Sequence, residues 1–293
     1  MFDPRQILQA NAGFLGGVDD FQAARVVLFG VPMDWTTSFR PGTRLAPHRI
    51  REASYGLEEY SFRLKKDLAQ VNFYDWGDLI LPYGNVHLAL EIIEKTVKEI
   101  LQGGKIPFVM GGEHLITWPI IRAVGNCFPD LVVLHFDAHA DLRDEYLGEK
   151  ESHATVMRRV VEMIGPQNLY QFGIRSGTAE EWSFATQYVN FHPEEVLEPL
   201  KGVIPALKGK KVYVTLDIDV VDPAFAPGTG TPEPGGVSSR EILSAVGLLQ
   251  ELDVVGFDLV EASPPYDPTD RTSILAAKIL REALLGLGGT GPI

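Results

Sequence analysis

The chain has 293 residues, 45% of them hydrophobic and 22% charged, an ordinary globular balance that allows a sizeable core. Its formal net charge is −13, which argues against a nucleic-acid partner, because neutralising phosphates needs clustered Lys and Arg. No signal peptide is legible at Met1-Phe2-Asp3-Pro4-Arg5, and no apolar run approaches the ~20 residues of a membrane helix, so a soluble cytoplasmic protein without a membrane partner is expected.

Along the chain, short apolar, β-branched runs at 25–31, 71–74, 106–110, 131–136, 169–174, 211–216 and 254–260 read as buried strands, because they do not alternate with polar residues. Between them lie helical patterns. The first, over 87–101, places Leu88, Ile92, Val97, Ile100 and Leu101 at helical spacing and stops at Gly103-Gly104. Cys127 is the single cysteine, so neither an intrachain disulfide nor a thiolate metal cage is available. Ser238 and Glu241 form a capping-box pattern for a helix running to Leu252, and 274–285 is a further apolar-faced helix. Strands alternating with helices imply a parallel sheet covered on both faces. Nothing splits the pattern, so 1–293 reads as one domain. The stretch from Pro223 to Gly236 is rich in Gly and Pro, and so long an irregular segment is often functional when ordered.

Polar clusters follow the strands. Residues 106–110 lead into Gly111-Gly112-Glu113-His114, residues 131–134 into Asp137-Ala138-His139-Ala140-Asp141, residues 212–216 into Asp217-Ile218-Asp219, and residues 254–260 into Glu261. The carboxyl edge of a parallel sheet is where ligands bind. Converging there, Asp137, Asp141, Asp217 and Asp219 would repel one another and lose solvation, and two divalent ions would offset both costs. Alternation along an extended chain would point Asp137, His139 and Asp141 one way, and Asp217 and Asp219 likewise. His114 and His139 complete an oxygen-rich, thiolate-free set that favours Mn²⁺ over structural Zn²⁺. His135 is expected in the core, out of phase with Asp137. His153 is a candidate proton shuttle, with a surface histidine as the alternative. Glu261 could pair with a cationic substrate group or serve as an ordinary salt-bridge carboxylate.

At these residues the chain resembles the ureohydrolase family of arginases, agmatinases and related amidinohydrolases. The resemblance rests on 111–114, 137–141, the run Asp217 to Gly236, and Asp258 to Asp267, together with Ser38 to Pro47 and Asp75 to Asp78. It implies a three-layer α/β/α sandwich with an eight-stranded parallel sheet, and two Mn²⁺ per chain. One ion would take His114, Asp137, Asp141 and Asp217, the other Asp137, His139, Asp217 and Asp219. It implies attack of a bridging hydroxide on a guanidinium carbon, with His153 as shuttle, Glu261 orienting the guanidinium, and Thr231 on the substrate side. Residues 141–155 are similar to bacterial agmatinases, and Arg143 stands where arginases usually carry an Asn. The implied reaction is hydrolysis of agmatine to putrescine and urea in polyamine biosynthesis, with guanidinobutyrase, arginase or formiminoglutamase activity as alternatives. Arg143 could repel a cationic tail or hold a carboxylate. The resemblance also implies a homo-oligomer, a trimer or hexamer.

Overall fold

Strands that are apolar on both faces can sit in a sheet only if helices cover both sides. The computed structural model, which describes residues 8–9, 13–18 and 20–287, has that arrangement. In chain order the strands are β1 (Leu8–Gln9), β2 (Val26–Val31), β3 (Tyr60–Ser61), β4 (Lys66–Asp67), β5 (Phe73–Leu79), β6 (Ile106–Gly111), β7 (Val132–Phe136), β8 (Leu169–Phe172), β9 (Asn190–His192), β10 (Lys211–Asp217) and β11 (Asp253–Val260). The helices are α1 (Ala46–Ser54), α2 (Val86–Gln102), α3 (Thr117–Cys127), α4 (Val156–Ile164), α5 (Ala179–Tyr188), α6 (Leu197–Leu207), α7 (Ser239–Leu248) and α8 (Arg271–Leu287).

The main sheet runs β1-β5-β2-β6-β11-β10-β7-β8-β9, and β3 and β4 form a separate two-stranded ribbon. The eight strands from β5 to β9 pair in parallel, and the two-residue β1 joins the edge antiparallel to β5. Residues of α1, α6, α7 and α8 share one apolar core with one face of the sheet. Residues of α2, α3, α4 and α5 share a second core with the other face. The three-layer expectation and its eight parallel strands are met. The chain inserts β10 and β11 last, between β6 and β7, so the four strands carrying the polar clusters lie side by side at the centre.

Local signals mostly work as read. The Ser238 hydroxyl and Glu241 form the capping box that starts α7, and Gly103 caps the end of α2. Two differences have clear causes. The strand expected at 71–74 runs instead over Phe73–Leu79, through Asp75 and Asp78. These carboxylates are tolerated because the guanidinium of buried Arg51 pairs with both, at 2.7 Å and 2.5 Å. The short β9 has only half-buried residues and no apolar run to announce it. The Pro223 to Gly236 stretch has no helix or strand longer than a bridge, as expected.

Candidate metal centre and active-site cleft

His114 follows β6 at the start of a helical turn, and a close approach of two loops puts it there. A Cβ on Gly112 would lie 2.0 Å from the carbonyl oxygen of Met33, so only glycine lets these segments meet. The His114 Nδ1 atom then faces three carboxylates, Asp137 Oδ2 at 3.0 Å, Asp141 Oδ2 at 3.3 Å and Asp217 Oδ2 at 3.4 Å. Beside them, His139 Nδ1 lies 2.9 Å from Asp219 Oδ2 and 3.5 Å from Asp137 Oδ1. The structure therefore brings all six predicted ligand residues together, with Asp137 reaching both histidines.

Backbone hydrogen bonds aim the carboxylates. Asp137 Oδ1 accepts from the His139 N–H, Asp217 Oδ1 from the Asp219 N–H, and Asp219 Oδ1 from the Ala138 N–H. One oxygen of each is thereby held in place and the other turns inward. Strand alternation is not the cause, contrary to expectation. β7 ends at Phe136, and Asp141 takes a left-handed backbone with φ 53°. Asp219 sits in the tight turn Ile218–Val220. The loops fold, and N–H groups within and between them hold Asp137, Asp217 and Asp219, while the left-handed backbone turns Asp141.

His135 also departs from expectation. Residues two apart on a strand share a face, so His135 is in phase with Asp137. Its Nε2 lies 2.8 Å from Asp137 Oδ2. The Gln171 amide approaches His135 Nδ1 at 3.0 Å, which leaves Nε2 carrying the proton for Asp137. His135 is fully buried, as expected, but it serves the cluster.

Electrostatics and hydrogen bonding both fit cations. Burial, and then the charges of neighbouring aspartates, push the carboxyl of Asp141 up to about 7 and that of Asp217 well above its ordinary range. His114 Nδ1 and Asp219 Oδ2 are buried with no hydrogen-bond partner. Both aim into the cluster, as lone pairs awaiting a metal would.

A cleft of about 210 Å³ opens onto this centre, lined among others by His153, Thr231, Glu261, Arg143, Tyr146 and Ser38. Glu261 follows β11 with a left-handed backbone, φ 62°, and its Oε1 accepts the His114 N–H at 2.7 Å. Burial, and then the charge of Glu113, raise its carboxyl to about 8. His153 opens a helical turn before α4. Burial lowers its imidazole to about 4, so it is neutral at pH 7. Of the predicted site residues, His114, His139, Asp141, Asp217, His153, Thr231 and Glu261 line this cleft, Asp137 and Asp219 lie buried behind it, and Arg143 joins the wall. The Arg143 guanidinium lies over the Tyr146 ring at 5.0 Å, with Nε 3.5 Å from Glu181 Oε2.

Sequence reasoning missed Glu113 and Thr36. Fully buried Glu113 accepts at Oε2 from both the N–H and the hydroxyl of Thr36, at 2.8 Å and 2.9 Å. The Thr36 oxygen in turn accepts the His153 N–H at 3.0 Å. The only signal was the place of Glu113 in the Gly-Gly-Glu-His segment.

The arginase family model matches residues 24–286. The chain is 52% identical to an agmatinase of Bacillus subtilis (strain 168), over 93% of this chain and 95% of that protein. It is 39% identical to a guanidinobutyrase of Pseudomonas aeruginosa, over 92% of this chain and 88% of that protein. The crystal structure of the agmatine ureohydrolase of Thermoplasma volcanium superposes with a TM-score of 0.86 at 34% identity, covering 95% of each chain. In sequence and fold, this chain belongs to the arginase family.

Proposed function

We propose that this protein is an agmatinase-type ureohydrolase, which hydrolyses the guanidinium group of agmatine to give putrescine and urea. The observation that carries the reading is the buried convergence of His114, Asp137, His139, Asp141, Asp217 and Asp219 at the floor of a cleft that also holds Glu261 and His153. The similarity to agmatinases over nearly the whole chain supports the substrate.

The ligands would hold two Mn²⁺, with Asp137 and Asp217 shared between them, and the oxygen-rich donor set supports Mn²⁺. Such ions, when bound, supply the Lewis acidity that activates water and polarises the guanidinium carbon. Glu261 binds and orients the cationic guanidinium through Oε2, since Oε1 is occupied by the His114 N–H. A substrate cation beside it favours the charged carboxylate that burial disfavours. His153 lines the same cleft with a ring that is neutral in the free protein, placed to relay a proton toward the departing amine. Thr231 completes the wall on the substrate side. Glu181 offsets the charge of Arg143, which supports a cleft able to accept agmatine's second positive end.

Urea release from agmatine, guanidinobutyrate, arginine and guanidine tests the substrate. The expected result is that agmatine has the highest kcat/KM, and a higher value for any other compound refutes the assignment. Metal analysis of the purified protein should give two Mn²⁺ per chain. We further infer a cytoplasmic protein acting in polyamine biosynthesis. Among the described residues no helix is long and apolar enough to cross a membrane. We also infer a homo-oligomer, a trimer or hexamer, which light scattering measures.

A further inference from the structure

Asp258 sits in β11 at the centre of the sheet, fully buried. Its neighbours offer only neutral donors. Tyr213 donates to Oδ2 at 2.5 Å, Thr117 to Oδ2 at 3.0 Å and Thr215 to Oδ1 at 2.6 Å. Burying a carboxylate among hydroxyls alone costs free energy that an apolar side chain would avoid. Asp258 has a use beyond filling the sheet. Because the Thr215 hydroxyl hydrogen goes to Asp258, the Thr215 oxygen can only accept from His114 Nε2, which lies 2.9 Å away. That places the ring proton of neutral His114 on Nε2. Nδ1, the nitrogen that faces Asp137, Asp141 and Asp217, keeps its lone pair.

We propose that Thr215, fixed by Asp258, is a positioning residue that holds His114 in the tautomer and ring orientation required to ligate a metal ion through Nδ1. The proposal rests on reading His114 as a metal ligand. Three adjacent central strands or their loops supply the parts, β10 the hydroxyl, β11 the carboxylate and the end of β6 the imidazole, so the sheet register itself sets the relay. A carboxylate beyond a histidine ligand also makes the imidazole a stronger donor.

The test is Mn²⁺ affinity, read by chelator competition on the whole protein without reference to turnover. Thr215→Val keeps the side-chain shape and removes the acceptor. It should weaken binding of one ion by ~10–100-fold, as loss of a hydrogen bond behind a ligand does elsewhere. Thr215→Ser, which restores the hydroxyl, should recover the affinity. Asp258→Asn should also weaken binding, and its effect should shrink when Thr215→Val is already present, because Asp258 acts through Thr215. If Asp258→Asn does not fold, the Val and Ser variants at 215 still decide the question. His114→Ala separates the two levels of the argument. Loss of an ion in His114→Ala with none in Thr215→Val overturns the relay alone. Retention of both ions in His114→Ala overturns the ligand reading and the relay together.

Discussion

The Thr36 hydroxyl donates to Glu113 at 2.9 Å, tying a loop after β2 to the residue next to His114. The same oxygen accepts the His153 N–H, so one threonine links the base of the cleft to the histidine on its wall. Removing it leaves Glu113 with fewer donors. Thr36→Val should destabilise the protein by ~1–3 kcal/mol, the usual cost of stripping a buried acceptor. It should also lower kcat more than it raises KM, because His153 loses an anchor. Denaturant titration and steady-state urea release measure the two effects, and Thr36→Ser should restore both.

His153 itself is expected to act on protons and not on metals. His153→Ala should retain both ions and lose ~10²–10⁴ in kcat, the range for a lost acid–base group. An unchanged rate across the pH profile would remove the shuttle role.

Burial of His153 also has a consequence for stability. Its folded value is about 4 and its ordinary value 6.5. Between these the unfolded chain binds a proton that the folded chain refuses, so stability falls as pH drops from 6.5 to 4. The slope from this one group is at most about 1.4 kcal/mol per pH unit, less to the extent that solvent reaches the ring. Metal-free wild type should therefore lose stability relative to His153→Asn as pH falls from 6.5 to 4, with a constant difference above pH 6.5, which thermal melts across that range measure.

Asp137 reaches both His114 and His139, so on the proposed ligand assignment Asp137→Ala should release both ions and abolish urea formation together. Metal content after dialysis checks this, and two ions retained would contradict the shared-ligand assignment.

Arg143 is held beside Glu181 and Tyr146 at the cleft wall. Glu181→Gln leaves the guanidinium without its charged neighbour. The KM for agmatine should then rise by ~3–10-fold, about 0.7–1.4 kcal/mol of added repulsion, while that for guanidinobutyrate falls. Equal shifts for both substrates would show that Arg143 does not read the distal charge.

The sequence by itself determined the sheet and which His and Asp residues gather at its edge. Apolar runs and capping patterns are local, so β6, β7, β10, β11, α2 and α7 were legible with small shifts in their ends. The six clustered His and Asp residues and Glu261 were legible because each lies at or just after the end of a strand, and chain direction alone puts strand ends on one edge. Tertiary structure decided what crosses the chain. Arg51 makes β5 tolerable from outside it, and Thr36 meets Glu113 from 77 residues away. Thr215 and Asp258 reach His114 only because β10 and β11 enter the sheet last. Even the aim of Asp141 and Asp219 came from a left-handed backbone in one and a neighbouring loop N–H in the other, which the two-residue spacing could not foretell. Periodicity reports which way a regular backbone faces. A metal centre is built where the backbone stops being regular, and there only the folded contacts fix direction.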